Sequence, residues 1–134
     1  MELFFGVILL LVAHYVADFY CQPRDIAVEK SYSMRALIIH IVLYSTSLFI
    51  ILFLGLYFMG FVSELHAIQM AIGIVVVNSL FHYIIDFFTS KINSYFWKTK
   101  QVRKFWLTIG FDQLLHTGLL VYCYAEMLEN FKYI

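Results

Sequence analysis

The chain has 134 residues, of which 63% are hydrophobic and only 13% are charged. A soluble domain of this size needs far more polar surface, so the composition excludes one and predicts an integral membrane protein whose first partner is the lipid bilayer. The formal net charge is zero, so no nucleic acid is expected as a partner.

Four apolar segments are long enough to be membrane spans, since a helix needs about 20 residues to cross a bilayer. They cover roughly residues 3–20, 36–60, 67–88 and 105–125. The connections between them are short, at about fifteen, six and sixteen residues. The first segment lacks the basic region and cleavage site of a signal peptide, so we expect it to be retained. The sequence therefore predicts an all-α polytopic membrane protein, a single four-helix domain over residues 1–134.

Basic residues are concentrated in the first and third connections, which hold eight of the nine. Lys132 is left for the opposite side. By the positive-inside rule, both connections lie in the cytoplasm and both termini lie outside. The eight residues are Arg24, Lys30, Arg35, Lys91, Lys98, Lys100, Arg103 and Lys104.

Two stretches of the sequence nearly repeat. HYVADFY at 14–20 recurs as HYIIDFF at 82–88, and ALIIH at 36–40 aligns with DQLLH at 112–116. The chain thus reads as two helical hairpins with the same direction, related as parallel repeats by an axis along the membrane normal. The hairpins cover about residues 3–60 and 67–125.

Seven ionisable residues are predicted to lie in one layer at the cytoplasmic side. They lie in the last turns of helices 1 and 3 and in the first turns of helices 2 and 4. Those within one helix are four residues apart and so share a face. An Asp at the centre of a spanning helix costs about 2.5–3.5 kcal/mol, so we expect these faces to point into the bundle. The seven are His14, Asp18, His40, His82, Asp86, Asp112 and His116.

These residue types favour a site for a divalent metal ion, because His and Asp suit Zn²⁺, Mn²⁺ or Fe²⁺. A bound metal could activate water for hydrolysis of a phosphate or an ester at the cytoplasmic membrane face. The protein would then be a metal-dependent membrane hydrolase. Asp112 is the candidate general base, and Gln22 and Gln113 are candidates for substrate binding. The predicted metal ligands are His14, Asp18, His40, His82, Asp86 and His116.

Two other functions fit the same cluster. It could serve a small transporter or a proton pathway, since His and Asp chains relay protons. Four helices are few for a channel, so transport would require a homo-oligomer. Alternatively, the His–Asp pairs could be structural bonds of about 0.6 kcal/mol each in a membrane interaction protein. The basic segment 98–104 would then contact anionic lipid headgroups.

The motifs resemble a known family. HYVADFYCQ at 14–22, the later His40, HYIIDF at 82–87 and DQLLH at 112–116 are similar to the small bacterial integral membrane proteins grouped as domain of unknown function 3307. The resemblance spans nearly the whole chain. It implies a multi-pass protein of the bacterial inner (cytoplasmic) membrane, and it implies no particular reaction.

Overall fold

The computed structural model of the protein describes residues 2–60 and 62–131, and every element in these ranges is helical. This confirms the all-α prediction. Lys132, the basic residue predicted for the outer side, lies outside the described residues. The elements are α1 (Glu2–Tyr15), a π-helical turn (Val16–Tyr20), α2 (Arg24–Glu29), α3 (Met34–Met59), α4 (Glu64–Lys98) and α5 (Val102–Phe131).

The four long helices form a closed bundle. Helix α1 contacts α3 and α5, while α4 contacts α3 on one side and α5 on the other. Short connections make successive long helices antiparallel. The small helix α2 packs against α3. Side chains from all four long helices therefore meet on the bundle axis.

Three helical segments are long and apolar enough to cross a membrane: Leu3–Tyr20, Met34–Met59 and Glu64–Lys98. They match the first three predicted spans. Helix α5 has 30 residues, ample length for a span. It is less apolar, because Asp112, Gln113 and His116 interrupt its hydrophobic run. The fourth span thus stays a prediction.

The predicted connection of about sixteen residues after residue 88 is wrong. Helix α4 continues without a break to Lys98, and only Thr99, Lys100 and Gln101 separate it from α5. The polar residues of this segment lower its hydropathy, but residues 89–98 contain neither Gly nor Pro to end a helix. The turn is made at Lys100, which adopts a left-handed backbone conformation with φ of 57°.

The first connection contains structure that the hydropathy pattern did not predict. The backbone N–H of Cys21 donates to the carbonyl of Val16, five residues back, at 2.8 Å. This bond closes the π-helical turn that carries Asp18. Pro23, the only proline of the chain, then precedes the first turn of α2. The chain folds back at this point and returns Lys30 to the bundle.

The bundle interior is divided into an apolar half and a polar half. The apolar half follows four-residue spacings, for example Leu48, Leu52 and Leu56 on α3, and Leu120, Tyr124 and Leu128 on α5. The polar residues lie at the other ends of the same buried stripes. The candidate site is therefore at one end of the bundle, next to α2 and the α4–α5 turn.

Candidate metal centre

All seven residues predicted to share one layer are buried, and none is more than 8% exposed. They come from α1, its π-helical turn, α3, α4 and α5. The structure thus joins in one cluster the groups that the spacing and the repeat selected. The cluster consists of His14, Asp18, His40, His82, Asp86, Asp112 and His116.

Three of these residues have ligand atoms at the spacing of a metal site. His40 Nε2 lies 3.1 Å from His82 Nε2 and 3.3 Å from Asp18 Oδ1. The third side of the triangle, from His82 Nε2 to the same oxygen, is 3.4 Å. Ligands that are each about 2.0–2.1 Å from a tetrahedral Zn²⁺ lie about 3.4 Å apart. The triangle therefore has the size of one face of a tetrahedral site.

A second set of three, made of His82, Asp86 and His116, shares a histidine with the first. Asp86 Oδ1 lies 3.3 Å from His116 Nε2, but Asp86 Oδ2 lies 3.7 Å from His82 Nε2. One Nε2 lone pair binds one metal ion, so the two sets cannot both be filled through His82. The cluster fits a single ion. The first set fits it better, because the distances between its three ligand atoms are more nearly equal.

Lys30 reaches the cluster from the segment after α2. Its Nζ donates to Asp86 Oδ2 at 2.7 Å and lies 3.3 Å from His40 Nε2. Sequence reasoning assigned this lysine only to membrane orientation. No helical periodicity links it to the cluster, because the fold-back at Pro23 brings it there.

The charges of the cluster do not balance when its imidazoles are neutral. Three carboxylates, Asp18, Asp86 and Asp112, are buried in the cluster, and in the described part of the chain one ammonium group, that of Lys30, pairs there with Asp86. Two negative charges are then left in the interior, where an uncompensated charge is costly. A divalent cation at the cluster would neutralise them, and so would protonation of two of its imidazoles.

His14 is buried beside the cluster, but its ring nitrogens are engaged elsewhere. The Gln113 side chain donates from Nε2 to Asp18 Oδ2 and to Asp112 Oδ2, each at 3.1 Å. Its Oε1 must therefore face His14 Nε2, 3.1 Å away, and accept the N–H there. The other nitrogen, Nδ1, lies 3.1 Å from the hydroxyl of Tyr44. His14 thus belongs to neither set of ligand atoms.

The remaining predicted residues have different surroundings. Asp112 Oδ1 accepts a hydrogen bond from Thr89 at 2.5 Å and lies 3.4 Å from His116 Nε2. Gln113 bridges carboxylates inside the cluster, as described above. Gln22 is half-buried, and its Oε1 has no hydrogen-bond partner among the described residues.

Ring stacking holds the central imidazole in place. The His82 ring lies between the rings of Tyr44 and His116, with centroid distances of 3.9 and 4.0 Å. Its Nδ1 has no hydrogen-bond partner in the described part of the chain. Packing rather than a second hydrogen bond thus orients Nε2 toward Asp18.

Tyr44 and Asn78 complete the polar interior, and the sequence analysis did not assign Tyr44 to the site. The Tyr44 hydroxyl donates to Asn78 Oδ1 at 2.7 Å. A signal was present, because Tyr44 follows His40 by four residues and Asn78 precedes His82 by four.

Residues 7–134 match the sequence profile of a family described as "Protein of unknown function (DUF3307)". The matched range includes all seven cluster residues. No curated protein and no solved structure matches the chain. The motifs thus led to the correct family, and the chemistry has to be inferred from the site itself.

Proposed function

The chain belongs to the DUF3307 family, and we propose that it is a four-span membrane protein that binds one divalent metal ion and uses it for hydrolysis at the cytoplasmic membrane face. The observation that carries the metal site is the triangle of Asp18, His40 and His82, with sides of 3.1, 3.3 and 3.4 Å. The three buried carboxylates, which lie in the cluster with the ammonium group of Lys30, are compatible with a divalent cation.

The surface of α5 supports a fourth span. Its polar residues Asp112 and His116 are buried in the bundle. Large apolar side chains occupy its outward surface, where lipid would lie. Helix α5 also closes the ring between α1 and α4. The outward apolar residues are Trp106, Leu107, Phe111, Leu114, Leu115 and Tyr122.

The proposed repeat explains why equivalent histidines have different roles. His14 and His82 correspond, but the two partners that hold His14, Tyr44 and Gln113, correspond to leucines at positions 120 and 37. At the positions where His14 has Tyr44 and Gln113, His82 therefore has leucine side chains, which form no hydrogen bonds. Its Nε2 is available to a metal, and that of His14 is not.

The ligand set suits Zn²⁺ first and Mn²⁺ or Fe²⁺ next, since two imidazoles and one carboxylate bind all three. Three protein ligands leave a position for water or substrate, as in catalytic zinc sites. A metal held by these residues would supply an activated water and a Lewis acid for a phosphoryl or carbonyl oxygen. Lys30 is placed to hold an anionic substrate near that position.

The contacts favour Asp86 over Asp112 as the general base. Asp86 Oδ2 lies 3.0 Å from His40 Nε2, at the edge of the ligand triangle. Asp112 instead contacts His116, whose Nε2 lies 3.3 Å from the other oxygen of Asp86. Asp86 would take the proton of the attacking water. Asp112 would position the Asp86 carboxylate through His116.

Metal content tests the proposal. We expect about one ion of Zn, Mn or Fe per chain by elemental mass spectrometry of protein purified in detergent. The variant His82→Gln should retain the fold but lose affinity by about 100-fold or more, since even second-shell changes cost 10- to 100-fold. The matched control is His66→Gln, in the first turn of α4 and outside the cluster.

A folded wild-type protein that contains no metal and takes up none of the three ions would overturn the proposal. If metal is present, the hydrolytic step is tested with chromogenic phosphate monoesters and carboxylate esters in mixed micelles. Asp86→Asn should bind metal within about tenfold of the wild type yet lose about 100-fold or more in rate.

A proton pathway is the second candidate, favoured by one observation. A chain of polar contacts of 2.7–3.1 Å runs from Asn78 through Tyr44, His14 and Gln113 to Asp18. Past Asn78, however, the described interior is lined by apolar residues such as Ile74 and Leu48. The polar chain enters the bundle from one end without crossing it, which suits an embedded site better than a path.

A further inference from the structure

A separate cavity of about 510 Å³ lies between the α2 segment, the end of α4 and the start of α5. This volume falls in the range of about 300–1,000 Å³ that small-molecule pockets occupy. One wall is aromatic and is formed by Trp97, Phe105 and Trp106. Both tryptophans remain more than 60% exposed, so the cavity is open to the outside.

The cavity lining also includes polar side chains, two of which have unpaired atoms in the described structure. Ser90 is only 9% exposed, and its hydroxyl has no hydrogen-bond partner in the described structure. Asn93 Oδ1 is likewise buried and unpaired there. Such groups normally have partners, and an unpaired one costs about 1–3 kcal/mol. Both residues line the cavity, and because the two atoms themselves are buried, a ligand there supplies the missing partners once these side chains rotate toward it.

Lys30 joins this cavity to the cluster. It lines the cavity, and its Nζ contacts Asp86 Oδ2 at 2.7 Å. A ligand group that pairs with Lys30 from the cavity side is thus placed one side chain away from the proposed metal position. An anionic group suits this place.

We propose that the cavity binds an anionic phospholipid whose headgroup carries hydroxyl groups. Its phosphate pairs with the Lys30 ammonium and accepts from the Ser90 hydroxyl, and a headgroup hydroxyl donates to Asn93 Oδ1. The acyl chain lies against the wall formed by Trp97, Phe105 and Trp106. The lipid site is argued from the cavity alone. That the bound lipid is also the substrate of the metal centre is a separate step, which rests on the proposed function.

Charge near the cavity favours an anionic ligand over a neutral one. Segment 98–104, which continues from the cavity-lining end of α4 into α5, contains four basic residues and no acidic one. All four basic side chains are exposed. Basic side chains near a membrane surface attract anionic lipids by about 1 kcal/mol each. The four are Lys98, Lys100, Arg103 and Lys104.

The chain has only two tryptophans, and both line this cavity, so its fluorescence reports on the proposed site directly. Protein in detergent is titrated with phosphatidylglycerol brominated on its acyl chains, which quenches nearby tryptophan. We expect saturable quenching, with phosphatidylcholine of the same chains at least about tenfold weaker because it lacks net charge and headgroup hydroxyls. Inorganic phosphate at matched concentration should not compete.

Two variants test the site, and a third is the control. Lys30→Gln removes the ammonium, and Ser94→Leu fills the cavity from a lining position. Each should weaken phosphatidylglycerol binding by about tenfold. Lys91→Gln should stay within about twofold, because Lys91 lies over the ring of Phe87 and does not line the cavity. If Lys30→Gln does not fold, the phosphatidylglycerol affinity of Ser94→Leu alone decides the test.

Equal quenching by both lipids, unchanged in Ser94→Leu, would reduce the effect to bulk lipid contact and overturn the proposal. Competition by inorganic phosphate would overturn it in favour of a free anion. The variant His82→Gln separates this proposal from the metal site. It should lose metal yet still bind phosphatidylglycerol saturably and in preference to phosphatidylcholine, so loss of metal and loss of lipid selectivity are measured independently.

Discussion

His14 and His82 show how far a residue's role can be read from its local sequence. Each begins an HY-x-x-DF motif, and the sequence predicts both as metal ligands. In the structure only His82 belongs to a set of ligand atoms, since Gln113 and Tyr44 occupy the nitrogens of His14. The motif predicts burial and clustering correctly. The division of roles depends on partners from other helices, which the motif does not contain.

Tyr44→Phe should lower the free energy of unfolding by about 1–2 kcal/mol. The change removes the hydroxyl that links His14 Nδ1 to Asn78 Oδ1, and leaves both without that partner. Interhelical bonds in membranes average about 0.6 kcal/mol and reach about 1.7 kcal/mol. Reversible unfolding in mixed micelles measures the effect. Tyr20→Phe, at an 83% exposed position, is the control and should change stability by less than about 0.5 kcal/mol.

Lys30→Met should raise the affinity for Zn²⁺ by about tenfold or more. The ammonium lies 3.3 Å from His40 Nε2 and therefore repels a cation bound to that nitrogen. Competition with a fluorescent chelator measures the change, with Lys91→Met as the matched lysine control. A weaker affinity for Zn²⁺ in Lys30→Met would contradict this prediction and show that the lysine holds the metal ligands in position.

At the level of elements, hydropathy predicted the first three spans but not the helices that leave the apolar region. Helix α4 extends to Lys98 because polar residues without Gly or Pro continue a helix as well as apolar ones do. The π-helical turn at Val16–Tyr20 has no sequence signature in this chain. The single proline was the available signal for the fold-back after it. Lys30 was missed as a site residue because its position depends on that fold-back.

The contact between α1 and α5 depends on Gly6. A Cβ at this position would overlap the ring of Tyr124, whereas one at Gly118 on α5 would meet nothing within 4 Å. Gly6→Ala should therefore destabilise the protein by about 1–3 kcal/mol through overpacking. Gly118→Ala should be neutral or stabilising by up to about 1 kcal/mol. Thermal unfolding of the two variants side by side tests this, and equal effects would contradict the close approach.

For the whole molecule, the separation of the interior into an apolar half and a polar half could be predicted, because the seven ionisable residues lie at one end of each predicted helix. Which three of them meet at 3.1–3.4 Å could not, since this depends on the packing of α1, α3 and α4 around the axis. The cavity beside Lys30 could not be predicted either, because α2, the end of α4 and the start of α5 form it together.

The proposed orientation predicts opposite accessibility for the two ends of α4. In a variant without Cys21 and Cys123, a cysteine replaces either Glu64 or Thr99, which are both exposed. An impermeant maleimide added to intact cells should label Glu64→Cys and should label Thr99→Cys only after permeabilisation. The reverse pattern would place the cluster at the outer face and contradict a cytoplasmic site.

X-ray absorption at the zinc edge of the loaded protein tests the proposed metal centre most directly. We predict two imidazole nitrogens and at least one carboxylate oxygen at about 2.0–2.1 Å, with one imidazole lost in His82→Gln and none lost in His14→Gln. A first shell without imidazole scattering, or one that His82→Gln leaves unchanged, would contradict a metal bound by Asp18, His40 and His82.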